Sequence, residues 1–197
     1  MNFWKKIKKI FVPETPDSEG EEKEELVIFG KEDPIDVQFT KNFIAGGGNF
    51  FYCENEQEVL VHLKEVIDYE HIDEIICFDK ELKSLLNRVS IKTTENHKDC
   101  QEFAFLKCEY LAAFNGVIML SSDQTRGNKQ DDLPQNIIVY AHPEQIVPNL
   151  SDALQKLRRA KKNELPSNIT SLKGNGSHGI DSANAKAIYL LLVEKNK

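Results

Sequence analysis

The stretch NFFYCENEQEVLVHLKEVIDYEHIDEIICFDKELKSLLN, Asn49 to Asn87, decides the fold class. Asn49 to Glu54 is a short aromatic-rich run that reads as a strand. Glu56 to Tyr69 then places Val59, Leu60, Leu63, Val66 and Ile67 on one helical face. Glu74 to Phe78 is a second short apolar run, and Lys80 to Asn87 a second helix with Leu82, Leu85 and Leu86 inward. Strand, helix, strand, helix in units this short implies parallel strands joined by right-handed crossovers. The expectation is an α/β fold, a mostly parallel sheet flanked by helices.

Downstream the organisation changes. Phe103 to Ala113 leads into a buried strand at Gly116 to Ser121, followed by a polar loop from Ser122 to Asp132 and a strand at Asn136 to Ala141. Pro143 to Lys162 predicts a helix carrying Ile146, Val147, Leu150, Ala153, Leu154 and Leu157, with Pro148 in its first turns, where proline is tolerated. Its basic end, Arg158, Arg159, Lys161 and Lys162, suits the negative end of a helix dipole. Asn168 to Leu172 and Ala187 to Val193 are the last strands. The second of these is near-continuously apolar and therefore central. A glycine-rich loop joins them, and no internal repeat is present.

Upstream, three segments separate. Met1 to Val12 spaces Phe3, Trp4, Ile7, Ile10 and Phe11 helically between Lys5, Lys6, Lys8 and Lys9, the pattern of a basic amphipathic helix. Such a helix lies on an anionic membrane or in a partner's groove, with Phe3, Trp4, Ile7 and Phe11 as contacts; the alternatives are packing on its own domain or fraying. Residues 13–25 form an acidic, extended linker, and residues 26–197 the α/β domain.

With 197 residues, 40% of them hydrophobic, the chain can bury a core without a metal or disulfides. Its net charge of −7 argues against broad binding to nucleic-acid phosphates, so no nucleic-acid partner is expected. Cys53, Cys77, Cys100 and Cys108 form no C-x-x-C pair and have no histidine at ligand spacing. No zinc, iron-sulfur or other cofactor site is therefore read. No signal-peptide pattern and no apolar run of ~20 residues is present, and the expected location is cytoplasmic, with a peripheral membrane contact through the first helix.

One run of features is specific enough to suggest a family. Cys108-Glu109-Tyr110-Leu111-Ala112-Ala113-Phe114-Asn115-Gly116-Val117-Ile118-Met119-Leu120 is followed by Thr125-Arg126-Gly127, Leu133-Pro134 and Pro143-Glu144-Gln145-Ile146-Val147-Pro148. With the ending Gly179-Ile180-Asp181 to Ala187-Ile188-Tyr189-Leu190-Leu191-Leu192-Val193, this resembles the LUD domain of the lactate utilization protein C family. The resemblance covers most of Leu26 to Lys197 in the order of elements, and residue matches concentrate in the second half.

The resemblance implies a fold similar to that of CoA transferases and ribose-5-phosphate isomerase, with phosphate- or carboxylate-bearing ligands at the C-terminal ends of parallel strands. It also implies association with L-lactate oxidation beside iron-sulfur oxidoreductase subunits. The departures are pointed. Where the family pattern reads Ala-Glu-Thr-Gly-Thr, this chain has Ala113-Phe114-Asn115-Gly116-Val117, and a phenyl ring at 114 can neither accept a proton nor ligate a cation. The Gly-Pro-Ser segment is shortened to Ser171-Leu172-Lys173-Gly174, and the His-Gly-Pro is replaced by Asp181-Ser182-Ala183.

The candidate ligand-binding residues are Asn115, Gly116, Thr125, Arg126, Lys173, Gly174, Gly176, Ser177 and His178. Gly174-Asn175-Gly176-Ser177-His178-Gly179 lets backbone N–H groups converge on an anion, and Arg126 offers a bidentate fork for carboxylate or phosphate. The bland alternatives are a flexible connection and a surface arginine. Gly46-Gly47-Gly48 reads as a turn or bulge, with a ligand approach as the alternative. His62, His71, His97 and His142 pair with no nucleophile at interpretable spacing, and no catalytic residue is assigned.

Two functional readings stay open. One is a LUD-domain protein that binds a small anionic metabolite or serves as the non-cluster subunit in L-lactate oxidation. The other is a divergent, non-catalytic interaction module tethered to a membrane or complex through Met1 to Val12. Convergence of Arg126, Asn115 and Ser177 on a cavity would support the first; an apolar plug at Phe114 would support the second.

Overall fold

Helix α1 (Ile35–Ala45) leads into strand β1 (Asn49–Cys53), and Asn55 starts α2 (Glu56–Glu70) because its side chain accepts the Glu58 N–H at 3.1 Å. Asp79 does the same for α3 (Lys80–Arg88), accepting from the N–H groups of Glu81 and Leu82, after β2 (Glu74–Ile76). The short β3 (Lys92–Thr94) and β4 (Phe103–Lys107) follow. The structure is a computed structural model that describes residues 33–96, 102–129, 132–162, 164–173 and 187–195. The basic segment Met1–Val12 with Phe3, Trp4, Ile7 and Phe11, the acidic linker, Cys100 and the loop residues Gly174, Gly176, Ser177 and His178 lie outside the described residues.

With β7 (Asn136–Ala141) and β10 (Ala187–Val193), the first four strands make one fully parallel sheet in the order β1-β10-β7-β4-β2-β3. One face carries Phe103, Phe105, Ile138, Tyr140, Tyr189, Leu191 and Val193 against Val59, Leu63 and Val66 of α2 and Leu82, Leu85 and Leu86 of α3. The alternate residues Ala104, Leu106, Ile137, Val139, Ile188, Leu190 and Leu192 are buried as well. A strand buried on both faces reads as an unbroken apolar run, which is why Ala187–Val193 sits inside the sheet between β1 and β7.

A second, mixed sheet is inserted between β4 and β10. It contains β5 (Tyr110–Ala112), β6 (Val117–Ser121), β8 (Ile146–Val147) and β9 (Ile169–Leu172) in the order β8-β5-β6-β9. β5 and β6 form an antiparallel hairpin through a 3-10 turn at Ala113–Asn115; β9 adds antiparallel to β6, and β8 parallel to β5. The one-turn α4 (Ser122–Thr125) continues β6, where only loop was expected. Its capping box pairs the Ser121 backbone N–H with the Gln124 side chain at 2.7 Å.

The long helix expected over Pro143 to Lys162 is corrected. The chain makes a 3-10 turn at Pro143–Gln145, pairs Ile146 and Val147 with Leu111 and Ala112, and begins α5 only at Leu150–Ala160. Pro148 disfavours helical backbone at Val147, and Asn149 caps α5 by accepting the Asp152 N–H at 3.0 Å. Ala153 and Leu157 of α5 then pack on Met119 and Val147 in a small second core.

Candidate functional site

The hairpin turn between β5 and β6 is built against the last turn of α1. Asn42 Nδ2 donates to the carbonyls of Ala113 and Phe114 at 2.8 and 3.2 Å, and the Phe114 N–H donates to the Pro148 carbonyl at 2.9 Å. Gly116 closes the turn at φ +60, and a Cβ there would stand 2.3 Å from the backbone nitrogen of Phe43. No other residue fits both the left-handed backbone and the approach of α1. Gly46, Gly47 and Gly48 form the turn that ends α1, as the sequence suggested: the Gly46 N–H donates to Asn42 and that of Gly48 to Phe43.

Two features of this turn point to chemistry. The Asn115 Oδ1 is buried and has no hydrogen-bond partner among the described residues. Lys173 is exposed and follows Leu172, which pairs with Ile118; its Cε lies 3.6 Å from where a Cβ on Gly46 would stand. Asn115, Gly116 and Lys173 therefore gather around the end of α1. There the Lys173 ammonium also complements the negative pole of the helix. Phe114 is 78% exposed, so it projects outward and plugs nothing.

Thr125 and Arg126 stand at the other end of β6. The five residues of that strand span roughly 14 Å at ~3.4 Å per residue, so Arg126 does not converge with Asn115. Thr125 is buried, and its hydroxyl donates to the Asn128 carbonyl at 3.0 Å. Arg126, in left-handed backbone at φ 52, lies 5.5 Å above the Phe78 ring and 3.5 Å from Glu95. These groups follow β2 and β3, at the carboxyl ends of the parallel strands. Lys83 reaches Glu95 at 2.5 Å, while Lys107 donates to Glu81 at 2.6 Å and lies 3.1 Å from Asp79. Lys83, with Arg126, holds the Glu95 carboxyl below its usual range. Burial pushes the Asp79 carboxyl up, but the Leu82 N–H and the Lys107 ammonium outweigh it and leave it lowered.

Sequence reasoning missed Glu109. Its Oε1 accepts from Ser121 Oγ at 2.8 Å, Gln124 Nε2 at 2.9 Å and Lys161 Nζ at 2.8 Å, and Asp123 also pairs with Lys161. The Glu109 side chain is only 13% exposed. Burial pushes its carboxyl up, yet the bonds from Lys161, Gln124 and Ser121 overcome this and hold it below the usual glutamate range. A depressed folded-state value gives stability that is present above the ordinary glutamate pKa of ~4.3 and lost as pH falls through the folded value. Urea unfolding across acid pH is expected to show this loss, and Glu109→Gln to flatten it. Lys161→Met, which strands the carboxylate, is expected to cost about 2 kcal/mol at neutral pH in the same measurement. The partners come from β6, α4 and the end of α5, so no local signal in the sequence announces them.

The family model described as the LUD domain matches residues 37–185. The chain belongs to the LUD domain family. Its structure is similar to the crystal structure of a DUF162 family protein from Deinococcus radiodurans, with a TM-score of 0.60 and 16% identity over 81% of this chain and 96% of that one. That likeness carries the fold: an α/β LUD domain with its six-stranded parallel sheet. No curated protein matches the chain significantly. In this LUD domain Phe114 points outward, and the neighbouring Asn115 keeps a buried Oδ1 with no hydrogen-bond partner among the described residues. Among the described residues no three His, Cys, Asp or Glu side chains are grouped to hold a metal ion, and Cys53, Cys77 and Cys108 are buried and in no disulfide. Among the described residues no helix is long and apolar enough to cross a membrane.

Proposed function

We propose that this LUD domain binds a small hydroxylated carboxylate at the turn between β5 and β6, as the metabolite-binding, non-cluster member of an L-lactate-oxidising assembly whose iron-sulfur clusters sit on partner subunits. The observation that carries the reading is the buried Asn115 Oδ1, which has no hydrogen-bond partner among the described residues. An unsatisfied buried acceptor costs ~1–3 kcal/mol, and a ligand hydroxyl that donates to it recovers that cost. Lys173 supplies the charge for a carboxylate, and Gly116 lets α1 pack closely against the turn that carries Asn115. Phe114 supplies no proton-transfer group, so the domain binds rather than acting as an acid or base through that position.

A thermal-shift panel on the full chain tests this. L-Lactate held at about a hundred times its dissociation constant is expected to add roughly 2.7 kcal/mol, several degrees for a domain of this size. Pyruvate, which has a carbonyl where lactate has a donor, is expected to do less, and Asn115→Ala to remove the difference. Loss of the response in Arg126→Ala together with its survival in Asn115→Ala would move the site to the carboxyl ends of the strands, where Arg126 stacks on Phe78.

A second reading is favoured by the 78% exposure of Phe114, an apolar ring presented at the apex of a turn. It makes the domain a non-catalytic interaction module, a cytoplasmic protein recruited to a membrane or complex by Met1 to Val12. Deletion of those residues is then expected to abolish co-sedimentation with anionic liposomes, and unchanged partitioning would reject the tether.

A further inference from the structure

At the edge of the parallel sheet, the second half of α2 and the start of β1 and β10 line a groove of about 520 Å³. Its floor is apolar and aromatic, from Phe51, Val66 and Tyr189, and Glu65, Glu70 and the 79% exposed Tyr69 stand around it. Among the described residues no lysine or arginine lines it. We infer that this groove receives an arginine side chain from a segment of a partner polypeptide.

The helix α2 ends here with no basic residue in its last turn before the His71 cap, so among the described residues no lysine or arginine of that turn offsets the negative pole of its dipole, and Glu70 adds a carboxylate at that same pole. Among the described residues the polar partners of the two glutamates are the Tyr189 hydroxyl for Glu70 and the His62 ring for Glu65, neither of them a lysine or arginine. Aromatic faces beside carboxylates suit a guanidinium in particular, because it stacks on a ring while its edge donates to the acids. An ammonium is also drawn to a ring face, but it has no plane to stack on it and no fork to present to the acids.

The test is fluorescence anisotropy of the full chain with a fluorescein-labelled peptide of alternating glycine and arginine, beside the same peptide with citrulline, the neutral isostere, in place of arginine. The arginine peptide is expected to bind at least about tenfold more tightly than the citrulline peptide. Glu65→Gln with Glu70→Gln is expected to weaken it about tenfold while keeping an acceptor for the Tyr189 hydroxyl, so the fold is spared. Tyr69→Ala, an exposed position, is expected to cost about two- to fivefold. The same charge change at the opposite end of the sheet, Glu54→Gln with Glu144→Gln, is expected to leave binding within about twofold. Equal binding of the citrulline peptide, equal losses in the two double variants, or no binding of the arginine peptide would each overturn the assignment.

Discussion

Gly116→Ala is expected to destabilise the domain by about 3–4 kcal/mol, read as a lower urea midpoint with an unchanged slope. Two costs add. A side chain in left-handed backbone costs ~1–2 kcal/mol, and the new Cβ would stand 2.3 Å from Phe43 N and 2.4 Å from the Asn42 carbonyl carbon. Those are backbone atoms of α1, so the clash is relieved only by moving the helix or the turn. Gly127→Ala isolates the first cost, because that glycine has φ +82 and nothing within 4 Å of its Cβ position; about 1 kcal/mol is expected there. A similar loss in both variants would mean that α1 does not press on the turn.

Phe43→Ala is expected to cost about 3–5 kcal/mol in the same assay. Phe43 is fully buried, stacks on Phe39 with ring centroids 5.6 Å apart, and fills the space over Gly48 that a Cβ would occupy. Its removal leaves a cavity under the end of α1, the element from which Asn42 holds the turn carbonyls. The variant is therefore expected to loosen the turn, and any lactate response with it, more than Leu157→Ala, which opens the separate small core around Met119 and Val147.

Why some of this was legible and some not follows from the range of each interaction. The β1–α2–β2–α3 unit was readable because alternation and helical periodicity are local, and β10 because burial on both faces leaves an apolar run. Helix α1 was missed although Phe39 and Phe43 sit four apart and Gly46 follows as a stop signal. Ile146 and Val147 fit a helical face with Leu150, yet Pro148 and the pairing with Leu111 and Ala112 gave them to a strand. Of the candidate residues, Asn115, Gly116 and Lys173 lie near the end of α1, whereas Arg126 is placed a strand's length away by β6 itself. The orphaned Asn115 oxygen and the Glu109 cluster depend on register and on partners from distant elements. Neither has a signature in the linear order of residues.

The proposed lactate site requires a ligand hydroxyl to meet Asn115 beside Lys173. The most direct test is a ¹H–¹⁵N titration of the full chain with L-lactate and, separately, with pyruvate. Perturbation of the Asn115 side-chain amide and of the Gly116 and Lys173 backbone amides by L-lactate, with a much weaker response to pyruvate, is the predicted result. Equal responses to the two acids, shifts centred on Arg126 and Gly127, or no shifts would contradict it.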